Sequence, residues 1–343
     1  MKNLFFNLLL VLVLVPMAFA QPDINGGPIN TRTKTGIIDG VYVSTHIPTK
    51  RLVPYIDVRE ADVIWSKRVW RTIDLREKIN LPLYYPLDEI TPGGVWVKNT
   101  SRWSLWTVIR HHVMTGDLVV YDAENPAAIG RIFDGDQFKH PIMPEDGKDY
   151  FTDSVFRSEV FRLLGTLAPV ETDEFGTMIA LKDQYGYDSV QELPNGDIIT
   201  VYPPRDTNWF TSKDIVQYRI KEDWFFDKQR SVLDVRILGI APVIYKREKD
   251  NSISGTRELF WLYFPTDCRY VFNNYFVYNE KNGSAWMSFD DYFWKRRFAS
   301  FIHKEENVYD RNVDKFRVGV DALMESKRIT EEIRLIEHDV WSF

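Results

Sequence analysis

Residues 232–245, VLDVRILGIAPVIY, and residues 258–264, ELFWLYF, are the stretches of sequence that decide the fold. Both are short runs of β-branched, aromatic and other apolar residues, and a run of this kind predicts a buried strand. The polar residues 249–255 lie between them and predict a turn. Shorter strands are expected at residues 117–121 and at residues 198–202, the latter after an Asn195-Gly196 turn.

Helical patterns surround these strands, so the fold class expected is α+β. Residues 60–80 are predicted to form an amphipathic helix, because Ala61, Trp65, Val69 and Ile73 recur at steps of four. A second helix is predicted over residues 104–114, capped at Ser101 or Ser104 and followed by Gly116. A third begins after Ser288 and is expected to carry Trp294, Phe298 and Phe301 on one side, and a last helix covers residues 320–336.

The order of these elements suggests two related lobes of helices and short sheets. Residues 59–205 and 206–343 each contain a tryptophan-bearing helical pattern, a strand and a Val-Tyr-Asp triplet, at 120–122 and 308–310. An internal duplication and a chance similarity both fit this pattern. The remaining segments are residues 1–20 and an extended, flexible N-terminal arm over residues 21–58.

Residues 1–20, MKNLFFNLLLVLVLVPMAFA, have the parts of a secretory signal peptide. Lys2 precedes an apolar run, and Ala18-Phe19-Ala20 provides the small residues required for cleavage between Ala20 and Gln21. An uncleaved anchor is the alternative, but the apolar run is shorter than the roughly 20 residues of a membrane-spanning helix. The sequence therefore predicts an exported protein with no membrane span after cleavage.

The arm that follows is poor in apolar residues from 21 to 35 and rich in Gly, Pro, Asn and Thr. Such a segment cannot bury enough surface to order itself. Two short β-like runs come next, formed by Ile37 and Ile38 and by Val41, Tyr42 and Val43. We expect these runs to join a sheet in a neighbouring molecule by strand addition.

Composition excludes several classes of function. The chain has 43 Lys and Arg against 49 Asp and Glu, so its net charge is −6, and no basic surface for nucleic acid is expected. The single Cys268 excludes an internal disulfide framework.

Catalytic and cofactor motifs are also missing from the sequence, and no cofactor or metal site is predicted. The adjacent His111 and His112 point about 100° apart on a helix, and the other histidines stand alone. The loop at residues 134–149 is acidic enough to resemble a calcium-binding loop, but its carboxylates do not follow the ligand order of an EF-hand. A solvated acidic loop is therefore favoured. We therefore expect no enzymatic activity.

Mixtures of tryptophan and arginine are the features that remain. Because these residues often anchor protein interfaces, we predict that a candidate partner interface includes them. The alternative is an inter-helix core with charges paired at its rim. The residues are Trp65, Arg68, Trp70, Arg71, Trp224, Arg230, Trp294, Arg296 and Arg297.

Four segments around these residues carry a family resemblance. They are VIWSKRVWRTIDLREKINLPLYYP at 63–86, YRIKEDWFFDKQRSVLDVRILGIAP at 218–242, residues 260–269 ending YFPTDCR, and SFDDYFWKRRFASFIHKEENVYDR at 288–311. Together they resemble the GldN/PorN family, a gliding motility and type IX secretion component of Bacteroidetes. Within this family the segments resemble members from gliding flavobacteria.

This resemblance implies a non-enzymatic periplasmic part of the secretion machinery. It implies a ring formed with a GldK/PorK-like outer-membrane lipoprotein at the inner face of the outer membrane. It also implies contact with the periplasmic part of the GldL/GldM-like motor. The residues alone leave open a periplasmic module that binds peptidoglycan glycans through exposed aromatic rings, and a hydrolase with paired carboxylates.

The cleavage site gives the first prediction. Protein recovered from the periplasm should begin at Gln21, because Ala18 and Ala20 stand at the positions where a signal peptidase requires small side chains. Intact-mass measurement checks this, and a mass that retains residues 1–20 would contradict it and favour the membrane anchor.

Overall fold

The structure is a computed structural model, and it describes part of the chain. The predicted signal peptide, Ala20 and Gln21, and the interface residues Ile37, Ile38, Val41, Tyr42 and Val43 lie outside the described residues. The described residues are 52–91, 94–99, 102–130, 132–167, 190–192, 198–200, 207–248, 252–279, 281–282 and 287–341.

The described strands are numbered here in chain order. They are β1 (Val63–Asp74), β2 (Glu89–Ile90), β3 (Trp96–Val97), β4 (Val120–Asp122), β5 (Pro141–Ile142), β6 (Gly165–Leu167), β7 (Val190–Glu192), β8 (Ile198–Thr200), β9 (Thr207–Trp209), β10 (Ile215–Asp227), β11 (Val232–Arg247), β12 (Ile253–Glu258), β13 (Phe260–Tyr263), β14 (Phe276–Val277), β15 (Met287–Ser288) and β16 (Phe301–Glu305).

The described α-helices are fewer and mostly short. They are α1 (Leu81–Tyr84), α2 (Leu105–Thr115), α3 (Ser154–Leu164), α4 (Arg269–Phe272), α5 (Phe289–Trp294) and α6 (Val320–Trp341), with a π-helical turn at Phe264–Cys268 before α4.

An 8-stranded antiparallel sheet organises the structure, in the order β16-β1-β10-β11-β13-β4-β5, with β12 also paired to β11. The strands predicted at residues 232–245 and 258–264 are confirmed as β11 and β13. The strand predicted at 117–121 is β4, a few residues later. Of the strand predicted at 198–202, β8 is described and pairs with β7, while the turn at 193–197 lies outside the described residues.

The helix predicted over residues 60–80 is wrong, because this segment forms β1. A step of four residues is also a multiple of the two-residue period of a strand, so Trp65, Val69 and Ile73 share one strand face as well as one helix face. The β-branched Val63, Ile64, Val69, Thr72 and Ile73 favour the strand. The α+β class holds, but β1, β10 and β11 span 12, 13 and 16 residues, so the expectation of short sheets is wrong.

The other predicted helices are confirmed with changed boundaries. Helix α2 is capped by Ser104, whose Oγ accepts a hydrogen bond from Thr107 N at 3.3 Å, and it ends at Gly116 with φ of 85°. Ser288 Oγ caps α5 by accepting from Asp291 N at 3.1 Å. Helix α5 ends at Trp294, so Phe298 and Phe301 lie beyond it. Helix α6 is longer than predicted.

Strand β1 is covered on both faces, which explains why its sequence does not alternate simply between apolar and polar residues. On one face Val69 packs with Ile302 of β16 and with Ile329 and Ile333 of α6. On the other face Trp70 packs in a cluster with Ala123, Ala241 and Trp261. Full burial of each large aliphatic side chain contributes about 1.5–3 kcal/mol.

The described chain forms two compact units that differ from the predicted lobes 59–205 and 206–343. One unit contains the residues up to Met143 together with those from Thr211 onward, and the other spans Pro144–Phe210. Both predicted lobes contribute strands to the same sheet, since β1 pairs with β10. The second unit contains α3 and the strand pair β6–β9. The internal duplication stays a prediction.

A close backbone contact in the first unit gives a prediction. Gly135 packs so tightly on β4 that a Cβ atom there would lie 2.3 Å from the Asp122 carbonyl oxygen and 2.6 Å from Ala123 Cα. Gly135→Ala should therefore lower the free energy of unfolding by about 1–3 kcal/mol. The exposed Ala127→Ser, which also adds one atom, should change it by less than about 0.5 kcal/mol. Urea unfolding of both variants measures this, and equal stabilities would contradict it.

Candidate partner interface

Glu222 of β10 is a carboxylate with no exposed surface, and it joins several of the predicted interface residues. Arg296 binds it in a bidentate pair, with Nη1 2.8 Å from Oε1 and Nη2 3.1 Å from Oε2. Arg71 Nε lies 3.3 Å from Oε2, and Trp224 Nε1 donates to the same oxygen at 3.2 Å. A buried carboxylate is costly unless it is paired and hydrogen-bonded, as it is here.

The register of the sheet places these groups together. Val69 on β1 lies directly opposite Glu222 on β10, so their side chains are on the same face of the sheet. Arg71 follows Val69 by two residues and Trp224 follows Glu222 by two residues, so both are on that face as well. Arg71 Nη1 also donates to Ser300 Oγ at 3.1 Å. Burial lowers the pKa of Arg71, and the charge of Glu222 opposes that shift.

Arg296 reaches Glu222 through an unusual helix end. Arg296 N donates to Phe293 O at 3.0 Å and Arg297 N donates to Tyr292 O at 3.1 Å, which is the hydrogen-bond pattern of a Schellman motif after α5. The left-handed position of this motif normally holds glycine, but here Arg296 adopts it with φ of 49°. Its guanidinium also lies 5.2 Å from the Trp224 ring centroid. The ion pair with Glu222 therefore offsets a strained backbone.

Trp294, at the end of α5, contacts the last part of the predicted arm. Its ring stacks on Tyr55 with centroids 5.5 Å apart, and the Arg269 guanidinium lies 4.4 Å from the Tyr55 centroid and 4.9 Å from that of Trp294. Arg269 is 2% exposed and donates from Nε to Asp290 Oδ1 at 2.9 Å. Arg236 donates to the carbonyl of Ile56.

These contacts correct the boundary of the arm. The predicted flexible segment extends to residue 58, whereas Tyr55 and Ile56 lie against the body of the protein. Burial raises the pKa of Tyr55 to about 12.

A small cavity of about 110 Å³ lies beside this contact. We call the surface around it, formed by Tyr55, Asp234, Trp294 and Arg296, the α5 surface. Arg230 joins it through an ion pair of 3.0 Å between Nη2 and Asp234 Oδ2. The structure thus brings Trp224, Arg230, Trp294 and Arg296 together, although they lie on different elements. The cavity is lined by Tyr55, Asp234, Val235, Ile237, Phe264, Asp290, Phe293, Trp294 and Arg296.

The remaining predicted interface residues lie apart from the α5 surface or are internal. Arg68 forms a bidentate pair with Asp223, at 2.6 and 2.7 Å. Trp70 is 7% exposed and donates to Asp136 Oδ2 at 2.9 Å on the opposite face of the sheet. Trp65 is partly buried against the Val69 cluster. Arg297 is exposed on the far side of α5.

Comparison with known families supplies the identity of the chain. The family described as gliding motility associated protein GldN matches residues 58–342. The chain belongs to the GldN family. The resemblance found in the sequence is thereby confirmed, and the protein is a component of gliding motility and type IX secretion. A comparison with curated protein sequences gives no significant match.

Two histidines of this GldN protein have partners that sequence spacing did not reveal. His112 Nδ1 lies 2.7 Å from Asp117 Oδ2, and its Nε2 lies 2.8 Å from the Tyr275 hydroxyl. His303 Nδ1 lies 3.0 Å from Thr72 Oγ1. Burial lowers the pKa of both imidazoles. Tyr275 is only 4% exposed, so the Asp117–His112–Tyr275 chain ties α2 to the segment after α4 and presents no accessible nucleophile.

The acidic loop at residues 134–149 distributes its carboxylates over separate partners. Asp136 accepts from Trp70, and Asp149 Oδ1 accepts from Thr152 Oγ1 at 2.8 Å. Within the described ranges no group of His, Cys, Asp or Glu is arranged to hold a metal ion. The helices of the same ranges include none that is long and apolar enough to cross a bilayer.

The Glu222 cluster gives a stability prediction. Glu222→Gln keeps the side-chain shape but leaves Arg71 and Arg296 without their counter-charge, so the free energy of unfolding should fall by about 3–5 kcal/mol. The control is Glu331→Gln on α6, whose ion pair with Arg334 is exposed and should contribute less than about 1 kcal/mol. Urea midpoints of both variants measure the difference. Equal midpoints would show that Glu222 does not hold this part of the fold.

Proposed function

We propose that this GldN-family protein is a non-enzymatic structural component of the type IX secretion and gliding machinery. It resides in the periplasm, at the inner face of the outer membrane, and forms a ring with a GldK/PorK-like outer-membrane lipoprotein. It also contacts the periplasmic part of the GldL/GldM-like motor. Its contribution to export is to bind partners and hold them in place.

The observation that carries this proposal is the α5 surface. Trp294 is 54% exposed while its ring also stacks on Tyr55, so an aromatic side chain with a fixed orientation faces solvent. Arg230 and Arg296 flank it and are held by Asp234 and Glu222. Pre-oriented aromatic and arginine side chains are the residues that contribute most to protein interfaces, because little conformational entropy is lost when they bind.

A ring requires heterologous contacts, in which each subunit uses two unlike surfaces. The α5 surface supplies one of them. The outer edge of β12 is a candidate for the other, because in the described part of the chain β12 pairs with β11 alone. An edge strand offers backbone groups to an added strand.

The proposal predicts a specific binding defect. Trp294→Ala removes the exposed ring, so copurification of the lipoprotein with the tagged protein from solubilised membranes should fall at least about tenfold. Tyr309→Ala is the matched control, since Tyr309 is 76% exposed and lies outside the α5 surface. Urea unfolding checks that both variants remain folded. Unchanged copurification with Trp294→Ala would remove the α5 surface from the lipoprotein contact.

A second measurement tests the function itself. The unmodified protein should copurify with the lipoprotein and should stay in the supernatant when mixed with purified cell-wall sacculi. Failure to copurify, together with sedimentation on sacculi, would favour the glycan-binding module instead.

A further inference from the structure

A second and larger cavity lies on the other side of α5 from the α5 surface. It has a volume of about 490 Å³, and we call it the α5 groove. Tyr292 faces it from α5, whereas Asp290, Phe293 and Trp294 face the smaller cavity. The groove is lined by the apolar or aromatic side chains of Ile79, Pro82, Val277, Tyr278, Met287 and Tyr292, by Asn279, and by the cations Lys78, Lys281 and Arg297.

The charges of the α5 groove are unbalanced. Among the described residues no carboxylate lines it, and no ion pair of Lys78, Lys281 or Arg297 is found there. Arg296 provides a contrast one residue earlier, because Glu222 neutralises it at 2.8 Å. A cleft with apolar walls and charges of one sign focuses the electrostatic field, and this attracts ligands of the opposite charge. The groove therefore selects an apolar ligand that carries a negative charge.

The Tyr292 hydroxyl, which faces the groove from α5, already has a hydrogen-bond partner. The Tyr292 hydroxyl donates to the Ile79 carbonyl at 2.9 Å, which fixes α5 to the segment before α1. Tyr292 itself is 4% exposed. A ligand that complements the groove therefore carries a carboxylate and an apolar surface.

One segment of this chain has that chemistry. Residues 37–43, Ile-Ile-Asp-Gly-Val-Tyr-Val, form an apolar run whose single charged residue is Asp39. The run lies outside the described residues and precedes Tyr55, which is fixed on the opposite side of α5. The connecting residues 44–51 could span up to about 30 Å if extended, so the run can bind well away from Tyr55.

We propose that residues 37–43 of one copy bind in the α5 groove of a second copy, with Asp39 facing Lys78, Lys281 and Arg297. This inference rests on the ring in the proposed function, and it adds a contact between copies that is separate from the α5 surface and the edge of β12. Ordering the segment on binding opposes the contact, so a single contact is weak. Many contacts held in one ring act together, because each bound segment raises the effective concentration of the next.

Engineered cysteine pairs test this in the full mature chain and its complex with the lipoprotein. One copy carries Val41→Cys and a differently tagged copy carries Ile79→Cys, so that Asp39 and the groove cations are retained. Mild oxidation should link the two copies. Leu323→Cys on α6 replaces Ile79→Cys as the control, since Leu323 is 55% exposed and Ile79 54% exposed. The native Cys268 is fully buried and does not compete.

Charge reversal tests the recognition. Arg297→Glu in the receiving copy should lower the cross-linked fraction about tenfold, because it places a like charge opposite Asp39. Adding Asp39→Lys to the donating copy should restore cross-linking. Lys327→Glu, the same charge change on α6, should leave it unaltered.

Three results would overturn the inference. Linkage within a single chain carrying both cysteines, with none between copies, would place the segment in its own groove. Equal linkage to Leu323→Cys would show that the contact is not specific. Absence of linkage in a complex that still assembles at full size would exclude the groove contact while the proposed function stands. If the copies do not assemble with the lipoprotein at all, the proposed function fails together with this inference.

Discussion

The fold depends on the neutralisation of one buried anion. Glu222 is fully enclosed on a central strand, so its charge must be met by cations that reach it from elsewhere in the chain. Arg71 reaches it from the neighbouring strand β1, and Arg296 reaches it from the turn after α5. These two ion pairs tie β1 and the end of α5 to β10. The α5 surface and the α5 groove lie on either side of that helix, so both are placed by the same carboxylate.

The sequence predicted the apolar strands and the capped helices well, because those signals are local. The run at 232–245, the Ser104 and Ser288 caps and the pattern of α6 all gave elements of the expected type. The helix predicted over residues 60–80 was wrong because the apolar residues there recur at a spacing that fits both a helix and a strand. Only the pairing of β1 with β10 and β16 decides between the two. That pairing is a tertiary contact, and tertiary contacts override the local preference of a segment for helix or strand.

The sequence named the residues of the candidate interface, but it could not show how they are arranged. That these tryptophans and arginines bind a partner stays a prediction. Whether each of them is internal depends on partners far away in sequence, such as Glu222 for Arg296 at a separation of 74 residues. Trp70 and Arg71 are consequently buried, while Trp294 is exposed. Tyr55 and Arg269 were missed, since no local pattern shows that the two side chains meet. The position of Tyr55, an aromatic residue close to the C-terminal end of the predicted arm, was the available signal.

Strand β1 is near the start of the described chain, but both of its neighbours in the sheet come much later. It pairs with β10, which begins at Ile215, and with β16, which begins at Phe301. Closing such long loops costs entropy before any sheet contact compensates for it, so we expect these pairings to form late in folding. During synthesis β1 therefore remains an unpaired, aggregation-prone strand until most of the chain has been made. The order of the strands therefore determines how late in synthesis the central sheet can close.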